Sequence, residues 1–135
     1  MQELKGKTIQ ELLVDNCQTG LAFRTDAGLI AYQTESDENA EVWFSDITGV
    51  QALLGATVLE VEMREMPDMP YDDRTRGSVE DFFGIKLLTT KGYVDIVFRE
   101  SSNGYYGGQL GGAFYPQEQY LAACGYTPVT DDWQA

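Results

Sequence analysis

The sequence of 135 residues contains no histidine, so the commonest general base and the usual nitrogen ligand of zinc or haem are missing. Catalytic sites that pair serine or cysteine with histidine are thereby excluded. Only two cysteines are present, Cys17 and Cys124, and their wide spacing does not fit a zinc site or a dense disulfide framework. We expect both to be reduced, partly buried thiols, and we expect no metal and no cofactor.

Long apolar runs and basic residues are also scarce. No stretch approaches the roughly 20 apolar residues of a membrane span, and the N-terminus has no apolar run of the signal-peptide kind. The chain contains nine basic and 22 acidic residues, which gives a net charge of −13. Such a surface repels polyanions, so we expect no binding to nucleic-acid polymers or to membranes. The expected location is the cytoplasm.

The hydrophobic content, the length and the turn signals of the sequence predict one β-rich domain over residues 1–135. The hydrophobic share of 43% suffices for a core, and the length is that of a single domain. Short runs of β-branched and aromatic residues, separated by turn signals, are typical of antiparallel sheets. We predict an α+β fold of about six to eight mostly antiparallel strands, with a short helix over 49–54 and another after Pro116.

The strands are predicted from local patterns. They cover residues 7–16, 21–25, 29–34, 42–46, 56–66, 82–90 and 93–100, the last two forming a hairpin through Lys91 and Gly92. Residues 67–81 are predicted as an exposed loop. Residues 115–135 form a C-terminal extension, whose tail over 130–135 is expected to fray.

Alternation assigns faces to three of these strands. In the strand over 93–100, the residues predicted to face the core are Val94, Ile96 and Phe98, and those on the other face are Tyr93, Asp95, Val97 and Arg99. In the strand over 56–66, the predicted apolar face is Thr57, Leu59, Val61, Met63 and Glu65, and the charged face is Val58, Glu60, Glu62 and Arg64. In the strand over 42–46, Val42, Phe44 and Asp46 are predicted to share a face.

Residues 99–108 combine an arginine, an asparagine, tyrosines and glycines in a short span. Residues 82–100 form the net-positive part of the chain, with three bases and two acids. Glycine allows close backbone approach, aromatic rings stack on bases, and arginine binds phosphate. The segment therefore suits a small nucleotide. The alternative is structural: Asn103 and Gly104 make a turn, and the tyrosines are half-buried strand residues.

Several segments of the chain resemble a family of small phage-encoded proteins, the first described Thoeris anti-defence proteins. The resemblance covers roughly residues 40–110 and rests on residues 47–49 (ITG), 53–56 (LLGA), 84–96 (GIKLLTTKGYVDI), 98–99 (FR) and 102–106 (SNGYY). It implies a protein that binds cyclic ADP-ribose isomers and related cyclic nucleotides of bacterial immunity and holds them without cleavage. Glu38 and Asn39 stand where the family has a cysteine pair, so no role of those cysteines transfers.

The resemblance further implies a homo-oligomer, either a dimer or a trimer of dimers, with the ligand pocket at a subunit interface. Together with the residue pattern, it places the ligand-binding site on Met63, Arg64, Tyr93, Arg99, Asn103, Tyr105 and Tyr106. Tyr93 or Tyr105 would stack on adenine, Arg99 or Arg64 would neutralise the pyrophosphate, and Asn103 would bond a ribose hydroxyl or base edge. The protein would not be an enzyme, and it would act in the host cytoplasm during infection.

Two other functions remain open at this point. An acidic protein of this charge is also suited to cover the basic surface of a host protein. A lyase or hydrolase acting on the same nucleotide would need a positioned base, for which Asp95 and Glu100 are the candidates. A calcium site among the acids of 35–46 and 60–81 is disfavoured because the spaced ligand loop is missing.

Overall fold

The computed structural model describes residues 1–36, 40–65, 79–102 and 108–135, without the side chains of 64, 65, 79, 80, 102 and 108. The strands are β1 Ile9–Val14, β2 Gly20–Thr25, β3 Gly28–Ser36, β4 Glu41–Thr48, β5 Val58–Glu65, β6 Val79–Thr89, β7 Gly92–Ser102, β8 Gly108–Leu110, β9 Thr127–Pro128 and β10 Trp133–Gln134. The helical elements are two 3₁₀ turns, Gln2–Leu4 and Val50–Ala52, and the helix α1 Glu118–Ala123.

The described strands form two five-stranded sheets. The order is β8-β3-β2-β1-β9 in the first sheet and β10-β4-β7-β6-β5 in the second. Every named pair of neighbours is antiparallel. The predicted β-rich antiparallel domain is therefore confirmed, with ten described strands instead of six to eight. The additional ones are two- and three-residue strands too short to show alternation. Helix is a minor component, and the described helices are too short and too polar to cross a lipid bilayer.

The main core contains the inward faces of both sheets. Phe23 meets Tyr32 edge to face within the first sheet, and Phe44 meets Phe98 in the same way within the second. The fully buried members include Leu4, Ile9, Leu12, Leu21, Phe23, Phe44, Ile47, Val50, Leu53, Val58, Leu87, Val94 and Ile96. Burial of this much apolar surface is the main stabilising contribution to the fold.

The C-terminal extension covers the first sheet and joins both sheets at their edges. Leu121 of α1 packs with Leu13, Ala22 and Ala31 in a second buried cluster. The expectation that residues 130–135 fray is wrong: β10 pairs with β4, and the amide of Ala135 donates to the carbonyl of Ser45 at 2.8 Å. The edge of β4 supplies the backbone partners, which no local pattern in the tail reveals.

Two β-bulges change the faces predicted by alternation. In β5 the register shifts between Val58 and Glu60, so Val58 and Val61 are buried while Leu59 is 43% exposed. In β4 the register shifts between Phe44 and Asp46, which removes Asp46 from the face of Phe44. A bulge inserts one residue and reverses the alternation beyond it. The faces predicted for β7 are confirmed, because Val94, Ile96 and Phe98 all lie in the core.

The helix predicted over 49–54 is a 3₁₀ turn, Val50–Ala52. Thr48 does not cap it; instead Gly49, with φ of 83°, precedes the turn, and its amide donates to Asp132 at 2.8 Å. A side chain at Gly49 would collide with the carbonyl of Tyr93, so both the positive φ and the close packing require glycine.

The predicted hairpin through Lys91 and Gly92 is confirmed by β6 and β7. The loop predicted over 67–81 is wrong for residues 79–81, because β6 begins at Val79. Residues 67–78 lie outside the described ranges.

A buried tyrosine makes the stability of the fold sensitive to alkaline pH. Tyr32 donates its hydroxyl hydrogen bond to Glu3 at 2.9 Å, and burial, reinforced by that bond, raises the pKa of Tyr32 far above its ordinary value of 10.0. A raised folded-state pKa stabilises the protein fully below pH 10.0 and progressively less as the pH rises above it. We expect Tyr32 to account for a loss of about 1.4 kcal/mol at roughly pH 11.

Urea unfolding at about pH 8 and about pH 11 measures this loss. Tyr32→Phe should lose less stability between the two pH values than the parent protein, by about 1.4 kcal/mol. Equal pH dependence for Tyr32→Phe and the parent would contradict the prediction.

Candidate functional site

The outer face of the second sheet, opposite the main core, carries a row of large side chains across three strands. Trp43 of β4 and Phe82 of β6 both lie opposite Arg99 of β7 in the register. Directly opposite residues of an antiparallel pair project from the same face. All three side chains are buried, although they lie outside the main core. We call Trp43, Phe82 and Arg99, with Asp46, the Arg99 cluster.

The guanidinium of Arg99 is positioned by an aromatic ring and a carboxylate. Its central carbon lies 5.0 Å from the centroid of the Phe82 ring, within the range of a cation–π interaction. Its Nη2 atom lies 3.4 Å from Oδ2 of Asp46, which also accepts a hydrogen bond from the hydroxyl of Ser45. The side chains of Arg99 and Asp46 are only 6% and 15% exposed. A charged pair at this depth requires good pairing, because each ion has lost most of its hydration.

The bulge in β4 explains why Asp46 belongs to this cluster. Asp46 is paired with Val97, two residues from Arg99 on the same face of β7, whereas Phe44 is paired with the core residue Phe98. Uninterrupted alternation from Phe44 would direct Asp46 into the main core. The bulge between Phe44 and Asp46 therefore places the carboxylate of Asp46 on the same face as the buried guanidinium of Arg99. Bulges that redirect a side chain in this way are common at functional sites.

Tyr93 lies at the opposite end of β7 from Arg99. The two residues share the outer face but are six positions apart, which corresponds to about 20 Å along a strand. Tyr93 is 57% exposed, and Nζ of Lys86 lies 4.2 Å from the centroid of its ring. Within one protomer, the structure therefore does not bring Tyr93 and Arg99 together at one contact site. Tyr93 and Lys86 form a separate pair, in which the aromatic ring is exposed and the lysine is half-buried.

The remaining predicted site residues are distributed differently. Met63 of β5 is paired with the core residue Ile85, so it lies on the inner face at the sheet edge and is 50% exposed. Met63 and Arg99 are thus on opposite faces of the second sheet. Arg64 lies in β5 opposite Gly84, and its side chain is outside the described part. Asn103, Tyr105 and Tyr106 lie outside the described residues.

Sequence reasoning missed three members of the Arg99 cluster: Trp43, Asp46 and Phe82. A signal for Asp46 was available, because a lone acid within the apolar run 42–47 (VWFSDI) needs a polar or charged partner if the strand is buried. Phe82 and Trp43 carried no comparable signal, since aromatic residues in strands most often pack in cores. The alternative bases, Asp95 and Glu100, lie on opposite faces of β7, and Glu100 is buried opposite Val42.

Comparison with known proteins identifies one family. No curated protein and no solved structure shows a significant match to this chain. The DUF7448 family, described as a domain of unknown function, matches residues 2–110. The matched part contains all four members of the Arg99 cluster and strands β1 to β8, whereas α1, β9 and β10 follow it. Since the match covers most of the chain, this protein belongs to the DUF7448 family.

Proposed function

We propose that this protein binds and sequesters small cyclic nucleotides, cyclic ADP-ribose isomers in particular, without cleaving them, and so blocks a bacterial anti-phage signal. The observation that carries the proposal is the guanidinium of Arg99, held between Phe82 and Asp46 on the strand that leads into residues 103–107. Arginine recognises phosphate, and aromatic faces stack on nucleobases.

The chain composition supports binding rather than turnover. Without histidine, the chain lacks the commonest general base, and a candidate base must lie within hydrogen-bond reach of the reacting group. Sequestration needs only tight, selective contacts. The proposed site comprises Arg99 together with the other residues predicted from the sequence: Met63, Arg64, Tyr93, Asn103, Tyr105 and Tyr106.

Assembly is part of the proposal. Tyr93 and Arg99 are too far apart on β7 to contact one small ligand within a single protomer, so a site using both residues needs a second copy of the chain. A homo-oligomer, as a dimer or a trimer of dimers, would provide this arrangement. Its proposed place of action is the cytoplasm of the infected host cell.

The net charge of −13 favours one other function, an acidic inhibitor that covers the basic surface of a host protein. The two functions differ in their dependence on salt. Association driven by opposite net charges weakens steeply as ionic strength rises, whereas contacts inside a pocket are screened much less. A binding constant that hardly changes with salt would favour the cyclic nucleotide.

Calorimetry with purified cyclic ADP-ribose isomers tests the proposed function. We expect saturable binding, with the intact ligand recovered after heat denaturation of the complex. Arg99→Lys keeps the positive charge but loses the planar fork, so it should weaken binding at least about tenfold. Asn103→Ala should weaken binding by about 1–3 kcal/mol without unfolding the protein.

Arg24→Lys is the matched control, because Arg24 lies on the first sheet, where it pairs with Glu11 and Glu118. It should bind as tightly as the parent protein. Absence of binding by the folded parent, recovery of a cleaved ligand, or unchanged affinity in both Arg99→Lys and Asn103→Ala would contradict the proposal.

A further inference from the structure

The two cysteines lie far apart in sequence but close to the same end of the first sheet. Strands β1 and β9 are antiparallel, with Leu13 opposite Pro128 and Val14 opposite Thr127. The ladder ends there: Asn16 and Cys17 form the turn that follows β1, and Cys124 and Gly125 form the turn that ends α1.

The two turns lie close together beyond the strand ends. Asp15 and Tyr126 meet at Gly20, where an added Cβ would lie 3.4 Å from Oδ2 of Asp15 and collide with the hydroxyl of Tyr126. At the next position, a Cβ on Gly125 would lie 3.2 Å from both Cγ and Nδ2 of Asn16. The turn after β1 and the segment that follows α1 are therefore in contact.

The thiols themselves adjoin this contact. Sγ of Cys17 donates to Oδ1 of Asn16 at 3.4 Å, so the thiol touches the side chain that packs on Gly125. Cys124 precedes Gly125 directly, and its amide donates to the carbonyl of Tyr120 at 3.0 Å at the end of α1. Cys17 is exposed rather than partly buried as predicted, and Cys124 is partly buried.

We propose that Cys17 and Cys124 form a reversible intramolecular disulfide when the protein meets glutathione disulfide. The thiolate of exposed Cys17 attacks one sulfur of glutathione disulfide and releases one glutathione thiolate. The thiolate of Cys124 then attacks the Cys17 sulfur of the mixed disulfide and expels the second glutathione. Two protein thiols lose two protons and two electrons, and one glutathione disulfide is reduced to two glutathione molecules.

The bond would join the turn between β1 and β2 to the end of α1. It would hold α1 against the first sheet, where Leu121 packs on Leu13 and Ala22. Because it closes a loop that spans most of the chain, it should restrict the unfolded state strongly. The modification is independent of the Arg99 cluster, which lies on the outer face of the second sheet.

The test treats the reduced full-length chain with glutathione redox buffers of increasing oxidising strength. We expect the intact mass to fall by two hydrogens, a peptide map to show Cys17 linked to Cys124, and Tm to rise by roughly 5–15 °C. Reduction should reverse all three changes. The map is made on the parent protein, so it does not depend on the folding of any variant.

Cys17→Ser and Cys124→Ser are the matched controls. In reducing buffer each should have the Tm of the reduced parent, and in oxidising buffer neither should gain stability. A parent protein that keeps both thiols, carries only glutathione adducts, or forms only intermolecular disulfides in the same buffers would overturn the proposal.

Discussion

Replacing Phe44 by alanine is expected to lower the free energy of unfolding by about 3–5 kcal/mol. Phe44 is fully buried in the main core, with its ring centroid 6.2 Å from that of Phe98 in an edge-to-face arrangement. Phe98 in turn stacks on Phe83 at 5.1 Å. Truncation removes apolar burial, leaves a cavity between the sheets and takes away one aromatic contact.

Urea unfolding followed by tryptophan fluorescence measures the effect of Phe44→Ala. Tyr93→Ala is the matched control, since Tyr93 is an aromatic residue of the same sheet whose side chain is largely exposed. The control should change the free energy of unfolding by no more than about 0.5 kcal/mol. Similar losses in Phe44→Ala and Tyr93→Ala would contradict the assignment of Phe44 to the core.

Replacing Arg99 by methionine is expected to cost about 3–5 kcal/mol, because the buried carboxyl group of Asp46 would lose its charged partner. The double variant Arg99→Met, Asp46→Leu removes both charges and should recover much of that loss. The effect is therefore expected to be strongly non-additive. A double-mutant cycle in urea measures it directly.

An exposed ion pair is the control for this cycle. Nζ of Lys5 lies 3.2 Å from Oε1 of Glu60, but the two side chains are 51% and 62% exposed. Lys5→Met should therefore cost no more than about 1 kcal/mol. If Arg99→Met costs no more than Lys5→Met, or if the double variant is less stable than Arg99→Met alone, the Arg99 cluster is not the buried charge pair described above.

Local patterns predicted most of the strands because alternation and turn residues act over a few positions. The strand 93–100 shows this clearly: its core face was predicted correctly, and its hairpin through Lys91 and Gly92 forms as expected. The same patterns failed in β4 and β5, where bulges shift the register. A bulge depends on the pairing with the partner strand, so it cannot be predicted from the residues of the bulged strand alone.

The candidate site was predicted only in part. The sequence predicts Arg99 from its charge and its position before an Asn-Gly-Tyr-Tyr segment, and Arg99 lies on the outer face of β7. Its partners Asp46, Trp43 and Phe82 come from two other strands and were missed. Tyr93 was predicted as a ring that would stack on adenine, yet it lies six positions from Arg99 on β7, about 20 Å along the strand.

The sequence by itself determined the β-rich class, the absence of histidine chemistry, the acidic surface and the alternation of β7, because these follow from composition or from neighbouring residues. Tertiary structure decided which face Asp46 occupies, how the C-terminal tail pairs with β4, and that the turn holding Cys17 lies close to the end of α1. Those outcomes depend on hydrogen bonds and packing between residues distant in sequence, and such contacts are chosen only when the two sheets assemble.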